Sequence, residues 1–435
     1  MSRVVAVLLA VAVAWLWAVG AAGAAPFRFT DPVRVGGAPV VIDVAAAGPG
    51  GTGVVAWLDV AGEIHAVRIG ADGVIGADHT LARSQGTARG LRAVITDHGE
   101  IVLVWSSFSR ERNAVAQIAA SATGAWGKLH TLGVVGSYTA ATPQIAGLSG
   151  GTVAAIWRDR QAPNGSDTVR YARRAPGRLF GAGRSLGHDG LYPDVAATAG
   201  GGALLSWQRG PAGRQVATIA RARRGAPLPG VAHDVAGHLR FAAPLFAAAD
   251  GTVALSWIRV ESPSTSSLHT RAVAPTIGAV RDLDAQVYPS AAAELAVGTG
   301  RTSIAAWGGW QQPSGGYRVF ATAAANLAAW GTPVALHAKG TGDDGQPQPV
   351  ILHDGSALVA WAKSRDQVGG AMYDAAIGQV GAPPPDEPQT LGPTAGHRGA
   401  GRLVRGDVRL VRGGGRLIAA WPDPVVGVRI ATRPA

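Results

Sequence analysis

The chain has no cysteine in its 435 residues, which excludes disulfides, thiolate metal sites, cysteine nucleophiles and a lipid-modified cysteine. Lysine is nearly missing as well. Lys128, Lys339 and Lys363 are the only three, so the excess of 39 basic over 28 acidic residues is carried by arginine. Scattered arginine in an Ala- and Gly-rich chain reads as the codon bias of a GC-rich bacterium, and nucleic acid is not an expected partner. Long apolar runs are confined to the amino terminus. There Arg3, the run Val4 to Val19 and the small-residue site Ala22-Gly23-Ala24 predict a signal peptide over 1–24. An uncleaved anchor is the alternative, although spanning wants about 20 apolar residues. Residues 25–435 are then expected to form one soluble, secreted or extracytoplasmic domain, monomeric and held by its apolar core alone. Catalytic signatures are missing too: no HExxH, no GxSxG elbow, no P-loop and no calcium loop. No cofactor and no metal are expected.

What is present is a tryptophan at the end of a short apolar run, repeated along the chain. The residues are Trp57, Trp105, Trp157, Trp207, Trp257, Trp307, Trp361 and Trp421, spaced 48, 52, 50, 50, 50, 54 and 60 apart. A β-unit repeated every fifty residues or so is the signature of a β-propeller. The expected architecture is all-β, a single propeller of eight four-stranded blades, with seven as the alternative. The apolar character on both sides of each tryptophan places this strand between neighbouring blades, with both faces buried.

The repeat around Trp207 shows the unit. Asp194 to Thr198, Ala203 to Gln208, Gln215 to Ala222 and Gly230 to Val235 read as four strands, with Gly200-Gly201-Gly202 as the first turn. Asp250-Gly251, Asp354-Gly355, His98-Gly99, Gly150-Gly151 and Gly413-Gly414 supply the same tight turn elsewhere. A proline opens several units, at Pro39, Pro143, Pro193, Pro244, Pro289 and Pro349, where a strand start tolerates it. A later hairpin recurs with Trp126, Phe180 and Trp330. After Trp421 there is room for a third strand, Val426 to Thr432, but no fourth; Phe27 to Gly36 resembles the missing one. Pairing the two termini would close the ring.

Propeller geometry puts the loops after the tryptophan strands on one face. They carry polar groups, and rigid scaffolds place function on such loops. The candidate ligand-binding residues are therefore Asp59, Arg110, Arg158, Asp159, Arg160, Arg209, Arg259, Trp310, Lys363, Arg365 and Asp366. Arg158-Asp159-Arg160 and Lys363 to Asp366 could hold a carboxylate or a sugar, with Trp310 as a stacking platform; intramolecular ion pairs are the plainer reading. The arginines Arg398, Arg402, Arg405, Arg409, Arg412 and Arg416 form a basic ribbon, either a charged blade edge or a polyanion site. Its glycines argue against a helix.

Ala249-Asp250-Gly251-Thr252 through Trp257 resembles the Asp-box of sialidase-type propellers, with tryptophan six residues after the glycine instead of three. One tryptophan per blade also resembles the eight-bladed quinoprotein dehydrogenases and the related outer-membrane assembly propellers. The vicinal cysteine pair of the quinoprotein enzymes is impossible here. These resemblances imply an exported bacterial propeller. The leading expectation is a non-catalytic one that binds a glycan, envelope polymer or protein on the loop face. The alternatives are a sialidase-like glycoside hydrolase or polysaccharide lyase, and a structural scaffold.

Overall fold

A strand of small apolar residues ending in an indole has no solvated face, so it folds only where both faces meet protein. The computed structural model describes the chain from Phe29 to Pro434, apart from residues 37–38, 47, 49, 60, 84–86, 109–112, 122, 136–142, 160–166, 189, 212–213, 227–228, 240–241, 263–264, 285–286, 290–292, 299–301, 312–315, 326, 328, 337–346, 365–372, 381–388, 395–396, 400–401, 405–407 and 424–426. The predicted signal peptide thus lies outside the described residues. Within them the chain is all-β, with a short 3-10 turn at Ala199–Gly201. Its sheets are arranged as propeller blades.

Each tryptophan lies in the second strand of an antiparallel unit. In the second repeat, Thr87–Ile95, Glu100–Phe108, Asn113–Ser121 and His130–Val135 pair in that order. The fourth and fifth units are joined into one sheet by a single pairing, Leu239 with Arg259. In the last repeat, Arg409–Gly413, Arg416–Pro422 and Val428–Pro434 are completed by the amino-terminal Val33–Val35. Val33 pairs Ile430 and Val35 pairs Val428, as the sequence led one to expect of the two ends.

The core is a series of slabs between successive repeats. Trp105 packs with Val54, Ala56 and Ile64 of the repeat before it. Trp157 packs with Val102 and Val104, and Trp307 with Ala254 and Ile258. Trp57 meets Ile418, Ala420, Val428 and Ile430 from the far end of the chain. All eight indoles are buried. The residues beside them stay small because the neighbouring slab occupies the other face. Trp307→Ala would empty one slab; we expect a loss of about 3–5 kcal/mol, read from urea unfolding.

The tight turns also touch across repeats. Gly251 has φ +80°, and a Cβ there would come within 2.0 Å of the Ala199 backbone nitrogen in the preceding turn. Gly51 stands in the same way against the Gly414 carbonyl, linking the first repeat to the last. Glycine is thus demanded twice at these positions, by φ and by space.

One detail differs from the sequence reading. The fourth strand of the Trp207 repeat is His233–Leu239, later than Gly230 to Val235, because Gly230 instead donates back to the Arg221 carbonyl at 2.8 Å. The recurring aromatics do stand in the hairpin between third and fourth strands. Trp126, Phe180 and Trp330 each form an isolated bridge to the end of the third strand, pinning a long connection against the blade.

Candidate active site

The first strand of each unit carries one residue directly opposite the residue before the tryptophan. Register makes these positions equivalent: Asp43 faces Ala56, Arg92 faces Val104, Gln144 faces Ile156 and Asp194 faces Ser206. Glu294 faces Ala306, Gln348 faces Ala360 and Arg409 faces Ala420. In the fifth unit the place falls to Pro244, whose carbonyl accepts the Ser256 N–H at 3.3 Å. The next residue along is apolar throughout, for example Val195, Leu245, Leu295 and Leu410, and packs into the slabs. The residues two further along, Val94, Ala146, Ala196, Val350 and Val411, pack into the next slab, so period-two alternation points the polar residues toward the following repeat. First strands of successive repeats pack on one another around the inside of the ring, so these residues sit on the axial strands, at the end from which the first strands start and the tryptophan strands leave.

Contacts run from one repeat to the next. Arg92 Nε donates to Gln144 Oε1 at 2.8 Å, and its Nη1 donates to the Leu91 carbonyl at 2.9 Å. Asp194 accepts the N–H of Val195 on Oδ1 and that of Leu245, in the following repeat, on Oδ2, both at 2.8 Å. Burial pushes its carboxyl up to about 6, against the two backbone N–H groups and the nearby Arg92 charge that pull it down. Asp194 is partly buried. A carboxyl poised there exchanges protons near neutral pH, beside a guanidinium and an amide suited to holding an anion. The side chain of Asp43 is outside the described set.

A second polar layer lies farther out, two residues after the tryptophans, and holds most of the described residues picked from the sequence. Asp159 is fully buried, and Arg170 Nε donates to it at 2.5 Å; Arg158 faces Asp167 at 3.5 Å. Arg209 holds Asp234 with two bonds, at 3.2 and 2.8 Å. Arg259 is 3.5 Å from Glu261, and Asp59 accepts the Glu63 N–H at 2.7 Å. These groups are paired within their own repeats and do not converge. Trp310 and Lys363 lie in strands opposite Tyr317 and Asp374, with side chains outside the description. Arg110, Arg160, Arg365 and Asp366 fall outside the described residues. In the basic ribbon, Arg412 donates to the Ile351 carbonyl and Arg416 to that of Ala71, so both brace neighbouring repeats. Arg398 and Arg402 stand on the paired strands His397–Gly399 and Arg402–Val404, and Arg405 is outside the description.

Ser267, His269 and Asp282 have the order of a nucleophilic triad, with Ser267 Oγ 2.6 Å from His269 Nε2 and Asp282 2.5 Å from Nδ1. Their polarity is wrong for one. The Ser267 hydroxyl donates to Glu261 at 2.7 Å and so can only accept from the imidazole. The surface hollows, lined by Asp234, His238 and Arg259 or by Arg221, Arg224 and His233, do not include Asp194.

Sequence reading missed the axial residues because their identities differ from repeat to repeat. A positional signal exists nonetheless. They stand thirteen residues before the tryptophan in six repeats, fourteen before Trp57 and twelve before Trp421.

No protein-family model and no curated protein matches the sequence. Solved structures do match. One is an ulvan lyase representing a new family of polysaccharide lyase, with a TM-score of 0.52 and 10% identity over 81% of this chain and 95% of that one. The same lyase bound to the unit GlcA(1-4)Rha3S gives 0.52 and 11% identity, with the same coverage. A Hadza microbial sialidase gives 0.38 and 10% identity over 68% of this chain and 70% of that one. At these identities the likeness to the lyase is one of fold. The expectation of a non-catalytic binding propeller is nevertheless corrected, since the lyase structures that share the fold are those of enzymes acting on polysaccharide. Among the described residues no helix is long and apolar enough to cross a membrane.

Proposed function

We propose that this chain is a polysaccharide-cleaving enzyme whose acid–base centre is the axial ring, and that it acts as a lyase on a uronate-containing glycan. The observation that carries this reading is the axial group itself: Asp194 with a carboxyl near 6, next to the Arg92–Gln144 pair. β-Elimination needs a cationic or amide clamp on the uronate carboxylate and a base for the adjacent proton. Here Arg92 and Gln144 neutralise the carboxylate. Asp194 takes the proton α to it, the electron pair of that C–H bond becomes the carbon–carbon double bond, and the bond from the β-carbon to the leaving sugar oxygen breaks, with solvent water giving that oxygen its proton. The unit bound to the structurally similar ulvan lyase, GlcA(1-4)Rha3S, carries a uronate and fits the same chemistry.

Incubation of the purified protein with a panel of uronate polysaccharides tests the reaction class. The unsaturated uronate produced by a lyase absorbs in the ultraviolet, whereas a hydrolase yields reducing ends alone. Reducing ends without new absorbance would move the assignment to a glycoside hydrolase; neither signal across the panel would overturn it.

The reading includes eight blades. It is supported by the register-equivalent positions, by slabs that join each repeat to the next and the last to the first, and by the shared terminal sheet. It also includes export, supported by the charged start and apolar run of residues 1–24. The mass of the mature chain from a bacterial host tests that cleavage.

A further inference from the structure

We propose that Asp59, Glu63 and His65 form a binding site for a divalent first-row transition cation, zinc by their ligand chemistry, with Asp78 orienting the histidine from behind. The tryptophan strand Gly53–Asp59 ends on Asp59, a tight turn returns the chain at Glu63, and His65 follows on the third strand directly opposite Trp57. A register shift between Ile64 and His65 aims the imidazole, which stacks on Trp57 with ring centres 5.4 Å apart and planes 6° from parallel. Stacking on one side and the Nδ1 contact to Asp78 at 3.1 Å fix the ring and direct Nε2 at the two carboxylates.

Nε2 is the decisive atom. His65 is only 7% exposed, and its Nε2 is buried without a hydrogen-bond partner. It stands 3.5 Å from Asp59 Oδ2 and 3.9 Å from Glu63 Oε2. Those gaps are too long for N–H···O bonds, which fall at about 2.7–3.2 Å. They suit atoms sharing one ion, because ligands about 2.0–2.2 Å from a tetrahedral zinc lie about 3.4 Å from one another. One donor atom from each residue lies within 4.8 Å of the others. One imidazole and two carboxylates suit zinc better than calcium or magnesium, which favour oxygen alone. The carboxylate behind the metal-binding histidine is the usual supporting partner. Glu63, with its side chain 34% exposed, leaves the site open to solvent for entry.

The fifth repeat supplies an internal contrast. His269 stacks on Trp257 in the same way, at 5.4 Å. Two residues before it stands Ser267 where the first repeat has Glu63, and the serine hydroxyl meets Nε2 at 2.6 Å. Arg259 occupies the place of Asp59. That repeat gives Nε2 a hydroxyl partner, with Glu261 Oε1 at 3.7 Å beyond it, and carries a cation where the first carries a ligand. The motif-based search for metal spacing passes over Asp59, Glu63 and His65 because the set is assembled by a hairpin and a bulge.

The test uses the untagged mature chain, stripped with a chelator and then titrated with zinc and, separately, cobalt. Elemental analysis should return one zinc per chain, and cobalt should give the visible absorption of a four-coordinate site. Glu63→Gln, at a part-exposed position that leaves the fold intact by circular dichroism, should weaken zinc binding at least tenfold. His65→Gln should abolish the cobalt spectrum, Asp78→Asn should cost about 10–100-fold in affinity, and Ser267→Ala should change nothing. No bound zinc, or binding unaltered in both Glu63→Gln and His65→Gln, would overturn the site.

Discussion

Asp194→Asn is expected to lower turnover on a uronate polysaccharide by about 10²–10⁴-fold, the range that a positioned general base supplies, with KM little changed. The asparagine side chain still accepts one of the two backbone N–H groups, so the inner strands keep their register while the proton acceptor is lost. For the proposed elimination the base must be ionised. Activity should therefore rise as pH increases through about 6, following the raised carboxyl. An activity that fell through the same pH would make Asp194 an acid. Stability moves the other way. The folded state holds this proton more tightly than the unfolded chain does, so the cost of the buried charge is felt above about 6 and relieved as pH falls toward 3.8. The rise from 3.8 to about 6 bounds that cost at about 3 kcal/mol. Asp194→Asn should remove the cost and flatten this part of the pH dependence.

Arg174→Ala is expected to give the largest loss of stability among the polar substitutions, about 3 kcal/mol by urea unfolding at pH 7. Arg174 ends the third strand of the third repeat and is 3% exposed; it holds both carboxylate oxygens of Glu100 on the preceding repeat. Removing one partner of such a buried pair costs about 3–5 kcal/mol, mostly because the other charge is stranded. Glu100, at 18% exposed, keeps some water, which places the value at the lower end. Burial alone would raise Glu100, but Arg174 overrides it and holds the carboxyl below its usual range. The pair therefore contributes fully above the unfolded pKa of about 4.3, and its contribution is lost as pH falls through the lower folded value. Arg209→Ala is the control. Its bond to Asp234 has similar geometry, but both side chains are about half exposed, and the expected loss is about 0–1 kcal/mol.

The architecture was legible because packing repeats itself in sequence. Each slab needs one indole and small neighbours, and each crowded turn needs glycine, so those residues recur at nearly fixed spacing. The third strand of the Trp207 repeat, Gln215–Ala222, falls where the pattern puts it. Its fourth strand does not, because a backbone bond from Gly230 extends the connection and no side chain announces it. The axial residues were hidden for a related reason. Packing does not fix the residue at this place on the axial strands, so Arg92, Gln144, Asp194, Glu294 and Arg409 share a position and no chemistry. The loop charges drew attention as a set, yet Asp159 and Arg209 face partners on the third and fourth strands of their own repeats, and Arg259 faces Glu261 two residues along its own strand. The enzymatic reading came from shared fold and from one perturbed carboxyl, neither of which a single sequence displays.

The most direct test of the axial assignment is a crystal structure of Asp194→Asn soaked with a uronate oligosaccharide that the unsubstituted protein cleaves. The account predicts the sugar carboxylate on Arg92 and Gln144, with its α-carbon facing residue 194. An oligosaccharide bound at the outer edges of the blades, with the axial residues untouched, would contradict it.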